Sequence, residues 1–364
     1  MIPSASLPAG EKRPEPGSIR RILVIKLRAV GDVVLSTIVI DNLRRAFPAA
    51  AIDFLTEEVS QQVVSGHPQL DAVVVLERKA IARLRAGEQL RAHFAFLSRI
   101  RSAGYDLVFD FFGNPRSALL TWWSGAAWRV GYNYRLRRNA YTVIVPSRAA
   151  SVHEAEWHLD ALNFLGIPVP SRHLSFALSA AAAGKAAAFW REAGLEGERV
   201  IALNFSGGWA AKRWPLARFA ELAGRLVQHY RARILVIWGP GEYEQARQLA
   251  ALAPVPVTLI PPTDLKELAA LLQRADLMIS TDSGPMHIAA SVCTRCVALF
   301  GPTNPQLQGP YGAGHQIVTA SGLDCLGCNR TACDHIRCMT TLTVADVQAG
   351  VARAVASLPE WRQV

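Results

Sequence analysis

The chain has 364 residues, 51% of them apolar and 8% aromatic, which is enough for two domains with separate hydrophobic cores. Its formal net charge is +10, and thirteen Lys or Arg against five Asp or Glu fall between Asp71 and Arg148. A basic surface of this kind attracts nucleic acid, an anionic membrane or a phosphorylated substrate, with a merely solvated basic face as an equal alternative. No apolar run reaches the roughly 20 residues that a membrane-spanning helix needs.

The first twenty residues contain four prolines and no apolar block of signal-peptide length. They therefore predict a disordered N-terminal tail over 1–20 rather than an export signal. Without an export signal or a spanning segment, the protein is expected to be soluble and cytoplasmic. Its six cysteines are then expected to be thiols or metal ligands and not a disulfide framework.

In the first half of the chain, apolar runs of strand length alternate with helix-like segments. The predicted strands are RILVIKL (21–27), AIDFLT (51–56), DAVVVL (71–76) and YDLVFDFF (105–112). A helical segment follows the first strand and is expected to stop at Pro48. This alternation predicts a parallel sheet with helices on both faces.

A second series of the same kind starts near Arg199. The predicted strands are RVIALN (199–204), RILVIWG (233–239), VTLI (257–260), DLMIST (276–281) and CVALFG (296–301). The segment 167–179, IPVPSRHLSFALS, is the predicted linker because of its prolines and mixed polarity. We therefore predict an α/β protein with two doubly wound, Rossmann-like domains that face each other across a cleft, with ligands at the carboxyl ends of the strands.

Two of the loops after predicted strands carry residues suited to catalysis. After the first strand, Asp32 is either a helix N-cap or a general base that accepts a proton from a substrate hydroxyl. In the second series, NFSGGWAAKRWP (204–215) places Gly207 and Gly208 where the backbone can approach a ligand closely. Lys212 then supplies a mobile positive charge and is either solvated or a phosphate ligand.

Two further loops of the second series favour nucleotide contacts. Glu242 and Glu244 either bind ribose hydroxyls or only favour the dipole at their helix start. The segment STDSGPMHIAA (280–290) has the pattern strand, turn, helix, which predicts a helix N-terminus open to an anion. Asp282 is an N-cap or a ligand for sugar hydroxyls, and His287 is a packed core residue or a phosphate donor. The backbone N–H groups that suit a diphosphate belong to Ser283, Gly284, Met286 and His287.

Several familiar motifs are missing from the sequence. The Gly-x-Gly-x-x-Gly fingerprint, the Walker phosphate loop, the His-Glu-x-x-His zinc helix and the Gly-x-Ser-x-Gly elbow do not occur. Their absence weighs against a dehydrogenase and against a P-loop kinase. One cluster lies outside the loops: Cys325, Cys328, Cys333 and Cys338 have the ligand count of a structural zinc site, with packing thiols or a local disulfide as alternatives.

Longer stretches of the sequence resemble glycosyltransferase family 9, the ADP-heptose:lipopolysaccharide heptosyltransferases. RILVIKLRAVGDVVLSTIVIDNLRRAFPAAAIDFLT and VVSGHPQLDAVVVL are similar to the family's amino-terminal half. AKRWPLARFAELA, STDSGPMHIAASV and VALFGPTNPQLQGPYG are similar to its donor domain. The resemblance implies a GT-B fold with an acceptor domain over 21–170, a donor domain over 171–345, and a C-terminal helix within 346–364 that packs back on the first domain.

The resemblance also implies roles for individual residues. Asp32 matches the family's proposed base, and Lys212 matches the lysine of the Lys-x-Trp-Pro motif that contacts the donor phosphates. Residues 282–287 match the Asp-x-Gly-x-x-His motif that holds the donor sugar and diphosphate. Further donor-site residues are expected to be Ser206, Gly207, Gly208 and Glu242. Further acceptor-site residues are expected to be Lys26, Arg28 and Gly31.

These implications predict an inverting transferase that moves a heptose from ADP-heptose to a phosphorylated lipid A–core acceptor, without a metal or cofactor. Its expected location is the cytoplasm or the cytoplasmic face of the inner membrane. Glycines at 207 and 208 replace hydroxyl residues of some members, and Ile38 replaces a proline of many, so another nucleotide-sugar donor is one alternative. A two-domain nucleotide-sugar epimerase is a second alternative. Nucleic-acid binding is disfavoured because no recognition motif occurs, and the sequence specifies no oligomeric state.

Overall fold

The computed structural model describes residues 13–133, 137–356, 358 and 361, and the chain divides into two compact units between Ala177 and Leu178. The predicted linker contains this division, but the expected domain boundary after residue 170 lies too early. The peptide N–H groups of Ser171 and Ser175 still donate to side chains of the first unit, Asn42 and Thr37, and each donor–acceptor distance is 3.0 Å. These bonds keep the segment before Ala177 in the first unit.

The first unit contains, within its described residues, a six-stranded parallel sheet. Its strands are β1 (Arg21–Ile25), β2 (Ala51–Glu57), β3 (Ala72–Leu76), β4 (Leu107–Asp110), β5 (Trp128–Tyr132) and β6 (Val143–Val145). Its helices are α1 (Val30–Ser36), α2 (Ile40–Ala46), α3 (Gln61–Val64), α4 (Arg78–Ala82), α5 (Ala86–Ser102), α6 (Pro115–Ser124) and α7 (Glu154–Phe164). The strand order β3-β2-β1-β4-β5-β6 reverses between β1 and β4, which opens a crevice at their carboxyl ends.

The second unit repeats this topology, again counted over the residues that the structure describes. Its strands are β7 (Val200–Asn204), β8 (Arg233–Ile237), β9 (Thr258–Leu259), β10 (Leu277–Thr281), β11 (Arg295–Phe300) and β12 (Gln316–Thr319). Its helices are α8 (Ala180–Glu192), α9 (Leu216–Tyr230), α10 (Tyr243–Leu252), α11 (Leu265–Arg274), α12 (Gly284–Ser291), α13 (Pro305–Gln308), α14 (Arg337–Thr340) and α15 (Val344–Val355). The order β12-β11-β10-β7-β8-β9 reverses between β7 and β10.

The central strands of both sheets are buried on both faces. All five residues of β7 and all five of β10 are buried, and four of the five residues of β1 are buried. Near-continuous apolar runs of this kind are what helices on both faces of a parallel sheet require. The predicted α/β class with two doubly wound sheets is therefore confirmed. In the described part of the chain, no helix is both long enough and apolar enough to cross a membrane.

The N-terminal segment only partly tests the predicted disordered tail. Residues 1–12 lie outside the described residues. Residues 13–20 differ from the prediction, because Pro16–Ser18 form a 3-10 turn and Ile19 is 4% exposed. The carboxylate of Asp106 accepts the N–H groups of Arg20 and Arg21 at 2.8 and 2.9 Å, which fixes this segment at the amino end of β1.

The C-terminal helix α15 corrects another expectation. We expected residues 346–364 to return to the first domain, but α15 packs against β11, β12 and α9 of the second unit. Val347 and Val351 on its apolar face are fully buried. At Gly350, a Cβ atom would lie 2.5 Å from Cγ2 of Val318, so the glycine permits the close approach of helix and sheet. The apolar stripe of α15 is thus part of the core of its own unit.

Candidate active site

The predicted donor loops meet at the carboxyl edge of the second sheet. Because the strand order reverses between β7 and β10, the loops after these strands border one crevice. Asn204 Nδ2 at the end of β7 donates to Ser283 Oγ at 2.8 Å. The hydroxyl of Thr281 at the end of β10 donates to the carbonyl oxygen of Ser206. These two bonds hold the segments that carry Lys212 and Asp282 side by side.

Lys212 and Asp282 form the charged centre of this crevice. Lys212 Nζ lies 2.6 Å from Asp282 Oδ2, and their side chains are only 13% and 8% exposed. The hydroxyl of Thr303 donates to the same carboxylate oxygen at 2.6 Å. The ammonium also lies 4.2 Å from the centroid of the Trp209 ring, which is cation–π geometry. The lysine is therefore positioned by a carboxylate and an aromatic face, and Trp209 is a site residue that the sequence patterns did not identify.

Helix α12 begins beside this ion pair. Its N-cap is Ser283, so the N-cap alternative for Asp282 is wrong. Gly284 is the first helical residue, and the first amides of a helix have no partner within the helix. Met286 differs from our expectation, because its N–H already donates to Ser283 O at 3.1 Å. His287 lies in the same helix and is 5% exposed. The start of α12 thus offers backbone donors at Ser283 and Gly284.

Glu242 links two loops of the crevice. It is the N-cap residue of α10, and its Oε2 accepts the N–H of Gly239 at 2.9 Å. The hydroxyl of Ser206 donates to the same oxygen. Glu244, by contrast, has a side chain that is 84% exposed and lies 3.6 Å from Arg247. The structure therefore separates the two glutamates, with Glu242 at the site and Glu244 on the surface.

The two glycines of the loop after β7 have different surroundings. A Cβ atom at Gly207 would lie 3.1 Å from Cγ of Arg213 and 3.2 Å from Cβ of Lys212. A Cβ atom at Gly208 would have no heavy atom within 4 Å. A side chain at residue 207 would therefore crowd the lysine turn, whereas a side chain at residue 208 would face open space.

An apolar cavity of about 490 Å³ lies at the ends of β8 and β9, and Tyr243, the residue after Glu242, is part of its lining. It is lined by Phe189, Trp238, Tyr243, Leu259, Ile260, Pro261 and Pro262. The indole N–H of Trp238 donates to Ile260 O at 2.8 Å, and the Trp238 and Tyr243 rings lie 4.8 Å apart. The signal for this cavity in the sequence is weak: a tryptophan directly after one strand and a Pro-Pro pair directly after another.

In the first unit, Asp32 lies at the carboxyl end of β1, as predicted. It is the third residue of α1, and its Oδ2 accepts the N–H of Ala29 at 3.2 Å. The N-cap reading of Asp32 is therefore wrong, because the N-cap position of α1 belongs to Ala29, and the general-base reading stays a prediction. Its neighbour Gly31 is buried and Arg28 is exposed.

Lys26 is placed differently from our expectation of an acceptor ligand. It is 4% exposed, and its Nζ lies 2.6 Å from Glu154 Oε1 and donates to Phe111 O at 3.1 Å. It thereby joins β1, the loop after β4 and helix α7. His158 completes this buried cluster, since its Nε2 lies 3.7 Å from the same Glu154 oxygen. His158 Nδ1 also lies 3.5 Å from Leu35 O, so the cluster contacts the helix that carries Asp32.

Asp110 shapes the neighbouring loop and was not singled out from the sequence. It ends β4, and its carboxylate accepts the N–H groups of Phe112 and Gly113 at 3.0 and 2.8 Å. The hydroxyls of Ser117 and Tyr141 donate to its other oxygen at 2.9 and 2.8 Å. Burial raises the pKa of this carboxyl group. The Gly-Asn-Pro turn that follows it is its signal in the sequence.

The buried histidine of the first unit should make that unit acid-sensitive. Burial, reinforced by Lys26, lowers the pKa of His158 from 6.5 to about 3. Between these values the unfolded chain binds a proton that the folded chain does not, so stability present above pH 6.5 is lost as the pH falls towards 3. At about 1.4 kcal/mol per pH unit, we expect a loss of about 2 kcal/mol between pH 6.5 and pH 5.

Urea unfolding at pH 7 and pH 5 checks this prediction. The variant His158→Gln cannot gain the proton, so it should lose about 2 kcal/mol less than the parent chain over the same interval. His315 of the second unit, whose pKa burial lowers to about 4, contributes equally to both chains and cancels in the comparison. Equal losses in both chains would contradict the assignment.

The four clustered cysteines carry free thiols. Cys338 is 5% exposed, and burial followed by the proximity of the other three thiols raises its pKa. Cys333 Sγ lies 3.6 Å from Nδ1 of His335. Among the described residues, no group of three or more His, Cys, Asp or Glu side chains is arranged to hold a metal ion. Of the four thiols only Cys338 is buried, so packing in the core accounts for that thiol and not for the exposed Cys328.

The structure contains two doubly wound units. In the second unit, a lysine and a helix N-terminus lie at the switch point, where the strand order of the sheet reverses. The comparisons with known proteins show that this protein is a glycosyltransferase of the GT-B class. Residues 93–336 match the family model "Glycosyltransferase family 9 (heptosyltransferase)". The chain belongs to this family. The predicted family, fold and enzyme class are thereby confirmed.

Individual relatives agree with this assignment. The chain is similar to lipopolysaccharide heptosyltransferase 1 of Pseudomonas aeruginosa, with 28% identity over 86% of this chain and 88% of the relative. A solved family 9 glycosyltransferase from Veillonella parvula matches with a TM-score of 0.83 and 25% identity, over 93% of this chain and 98% of that one. Escherichia coli heptosyltransferase WaaC, solved with ADP, shares the fold with a TM-score of 0.73 and 23% identity, over 92% and 99% of the two chains.

Proposed function

We propose that the protein transfers a heptose from ADP-heptose to the inner core of lipopolysaccharide with inversion at the anomeric carbon. The observation that carries this proposal is the Lys212–Asp282 pair beside the start of α12, at the switch point of the second sheet. Membership of the heptosyltransferase family supports the sugar class. The lipopolysaccharide acceptor is supported by the relative from Pseudomonas aeruginosa.

In this proposal the second unit stabilises the leaving ADP. Negative charge develops on the diphosphate oxygen as its bond to the sugar breaks, and preorganised donors lower the energy of that state. A lysine ammonium has three N–H donors, so Lys212 can keep Asp282 and still donate to a phosphate oxygen. The amides of Ser283 and Gly284 and the positive end of the α12 dipole supply the remaining stabilisation.

The nucleoside is proposed to bind between Glu242 and the apolar cavity. Glu242 Oε2 accepts two protein hydrogen bonds, and a carboxylate has about four lone-pair sites in all. The remaining sites can accept from ribose hydroxyls. The cavity lined by Trp238, Tyr243 and Pro261 is close by and offers apolar and aromatic surface to a flat base.

The first unit is proposed to supply the base. Asp32 accepts the proton of the acceptor hydroxyl while the oxygen attacks the anomeric carbon, and the electron pair of the breaking bond leaves with ADP. The capping bond from Ala29 to Oδ2 holds the carboxylate in place. The basic excess between Asp71 and Arg148 supports a phosphorylated acceptor. A lipid-linked acceptor places the enzyme at the cytoplasmic face of the inner membrane in this proposal.

A thermal-shift screen of nucleotides tests the donor assignment. We expect ADP to raise the Tm more than UDP or GDP at equal concentration, because a ligand that binds only the folded state stabilises it according to its affinity. Glu242→Gln should reduce the ADP shift, whereas Glu244→Gln, a change of the same type on the exposed surface, should leave it unaltered. A larger shift with UDP or GDP would refute an ADP-linked donor.

Product analysis separates transfer from epimerisation. Incubated with ADP-heptose, a transferase should release ADP at a rate that depends on added lipid A–core acceptor. An epimerase would alter the nucleotide-sugar equally well without acceptor. Acceptor-independent conversion would therefore replace the proposed function with the epimerase alternative.

A further inference from the structure

The outer faces of α5 and α6 in the first unit expose large apolar side chains. Leu90 and Phe94 of α5 are 60% and 55% exposed, and Leu119 and Trp122 of α6 are 47% and 52% exposed. The two members of each pair lie one helical turn apart, so each pair shares one face of its helix.

The two helices lie next to each other. They pack against one another within the first unit. At their C-terminal ends, the guanidinium of Arg101 from α5 lies directly over Gly125, which follows α6, and a Cβ atom there would be 1.2 Å from Nη1. The exposed apolar pairs are therefore on neighbouring helices that end at the same edge of the unit. We call this surface the α5–α6 face, defined by Leu90, Phe94, Leu119 and Trp122.

The charge around the α5–α6 face is predominantly positive. From Arg78 to Ser102 the chain carries seven Lys or Arg and a single acidic residue, Glu88. That carboxylate already accepts the N–H of Arg85 at 3.0 Å. The next two acidic residues point inward: Asp106 binds backbone amides at the start of β1, and Asp110 is 1% exposed. The exposed charge beside the apolar side chains is thus mostly that of arginine.

We propose that the α5–α6 face docks the protein onto an anionic bilayer. Single exposed apolar residues are ordinary on a soluble protein, but a Trp, a Phe and two Leu on adjacent helices among arginines have the composition of interfacial membrane helices. The apolar side chains enter the acyl boundary while the arginines bind lipid phosphates, which is the charge complementarity that selects this occupant. Nucleic acid would engage the arginines but leave Leu90 and Leu119 in water.

Membrane docking through the α5–α6 face agrees with the proposed function and adds a binding partner for the first unit. Helix α6 starts directly after the loop that follows β4, at the carboxyl edge where Asp32 lies. Docking through the sides of α5 and α6 would hold the first unit against the bilayer that carries the lipid-linked acceptor. The inference rests on the proposed function only for the advantage that docking gives to sugar transfer, because binding to a bilayer can be measured without donor or acceptor.

Vesicle co-sedimentation of the full chain tests the inference. We expect binding to vesicles of phosphatidylglycerol and phosphatidylcholine, little binding to phosphatidylcholine alone, and weakening as salt rises. The double variant Leu90→Ser/Phe94→Ser should lower the partition coefficient at least tenfold, and Arg91→Gln should lower it less. Matched controls on the second unit are Leu252→Ser, where the leucine is 50% exposed, and Arg191→Gln.

Each outcome of the vesicle experiment decides the inference. Equal loss of binding in Leu252→Ser and in the double variant would overturn it, as would unchanged binding in the double variant. Binding to oligonucleotides of either strandedness but not to vesicles would overturn it in favour of nucleic acid. The ADP-induced thermal shift of the double variant should equal that of the parent chain, which shows that the variant is folded. Vesicle binding without any ADP response would leave the inference standing and refute the proposed donor.

Discussion

Replacing Asp32 with Asn is expected to lower kcat by about 10²–10⁴-fold, the usual contribution of a general base. The amide oxygen of Asn can still accept the N–H of Ala29, so the start of α1 should be preserved. It cannot accept the proton of an attacking hydroxyl, which is the reason for the loss. Initial rates of ADP release in the presence of acceptor measure kcat, and the ADP-induced thermal shift measures donor-site integrity, which should not change.

The matched control for this prediction is Asp41→Asn. Asp41 occupies the first turn of α2, so the same substitution tests whether losing one helix-start carboxylate in this unit is enough to reduce turnover. We expect its kcat to remain within twofold of the parent value. If Asp32→Asn retained more than a tenth of the parent kcat, the proton would have to go elsewhere and Asp32 would be only a helix-start residue.

The elements that could be predicted from the sequence are those with long apolar runs. The strands β1, β7, β8 and β10 are continuous apolar segments because both of their faces are covered, and each was predicted within two residues at either end. The strands β5, β6 and β12 were not predicted. All three lie at or next to a sheet edge, where some of their residues stay accessible to solvent, so none has a long apolar run. In addition, β6 and β12 have only three and four residues.

The positions of the candidate-site residues could be predicted from the sequence, but the contacts between their side chains could not. Alternating strands and helices place Lys212 and Asp282 at the carboxyl edge of one sheet, and the switch point brings their loops together. That the two side chains form an ion pair depends on the turn at Ala210–Lys212 and on Thr303, which lies beyond the next strand. The same limit explains Lys26, whose partner Glu154 lies 128 residues further along the chain.

The C-terminal helix shows how a family expectation can conflict with local physics. The resemblance implied a helix that returns to the first domain. The sequence of α15 has valines at 344, 347, 351 and 355, a stripe that any nearby apolar surface could bury. The glycine at 350 selects that surface, because a helix with no Cβ there can approach β12 closely. The valine stripe and Gly350 together therefore favour packing of α15 within the second unit.

The second large effect is expected when the positive charge of the Lys212–Asp282 pair is removed. Lys212→Met should lower kcat/KM by about 10²–10³-fold, the usual cost of removing one preorganised group that stabilises developing negative charge. Methionine keeps much of the length and apolar surface of the lysine stem, so the contact with the Trp209 ring can persist while the charge is lost. Lys185→Met is the control for losing a lysine, because Lys185 is 72% exposed and forms a surface ion pair with Glu267. It should change kcat/KM by less than twofold.

A double-mutant cycle decides whether Asp282 acts through the lysine or on the donor itself. If Asp282 only positions Lys212, then Asp282→Asn should cost activity in the parent chain but almost none in the Lys212→Met background, because the group it positions is already absent. If Asp282 binds the donor sugar directly, the two losses should multiply. Trp209→Phe preserves an aromatic face for the ammonium and should retain most of the activity, whereas Trp209→Ala should approach the loss seen for Asp282→Asn. Equal activity in Trp209→Ala and the parent chain would show that the carboxylate alone fixes the lysine.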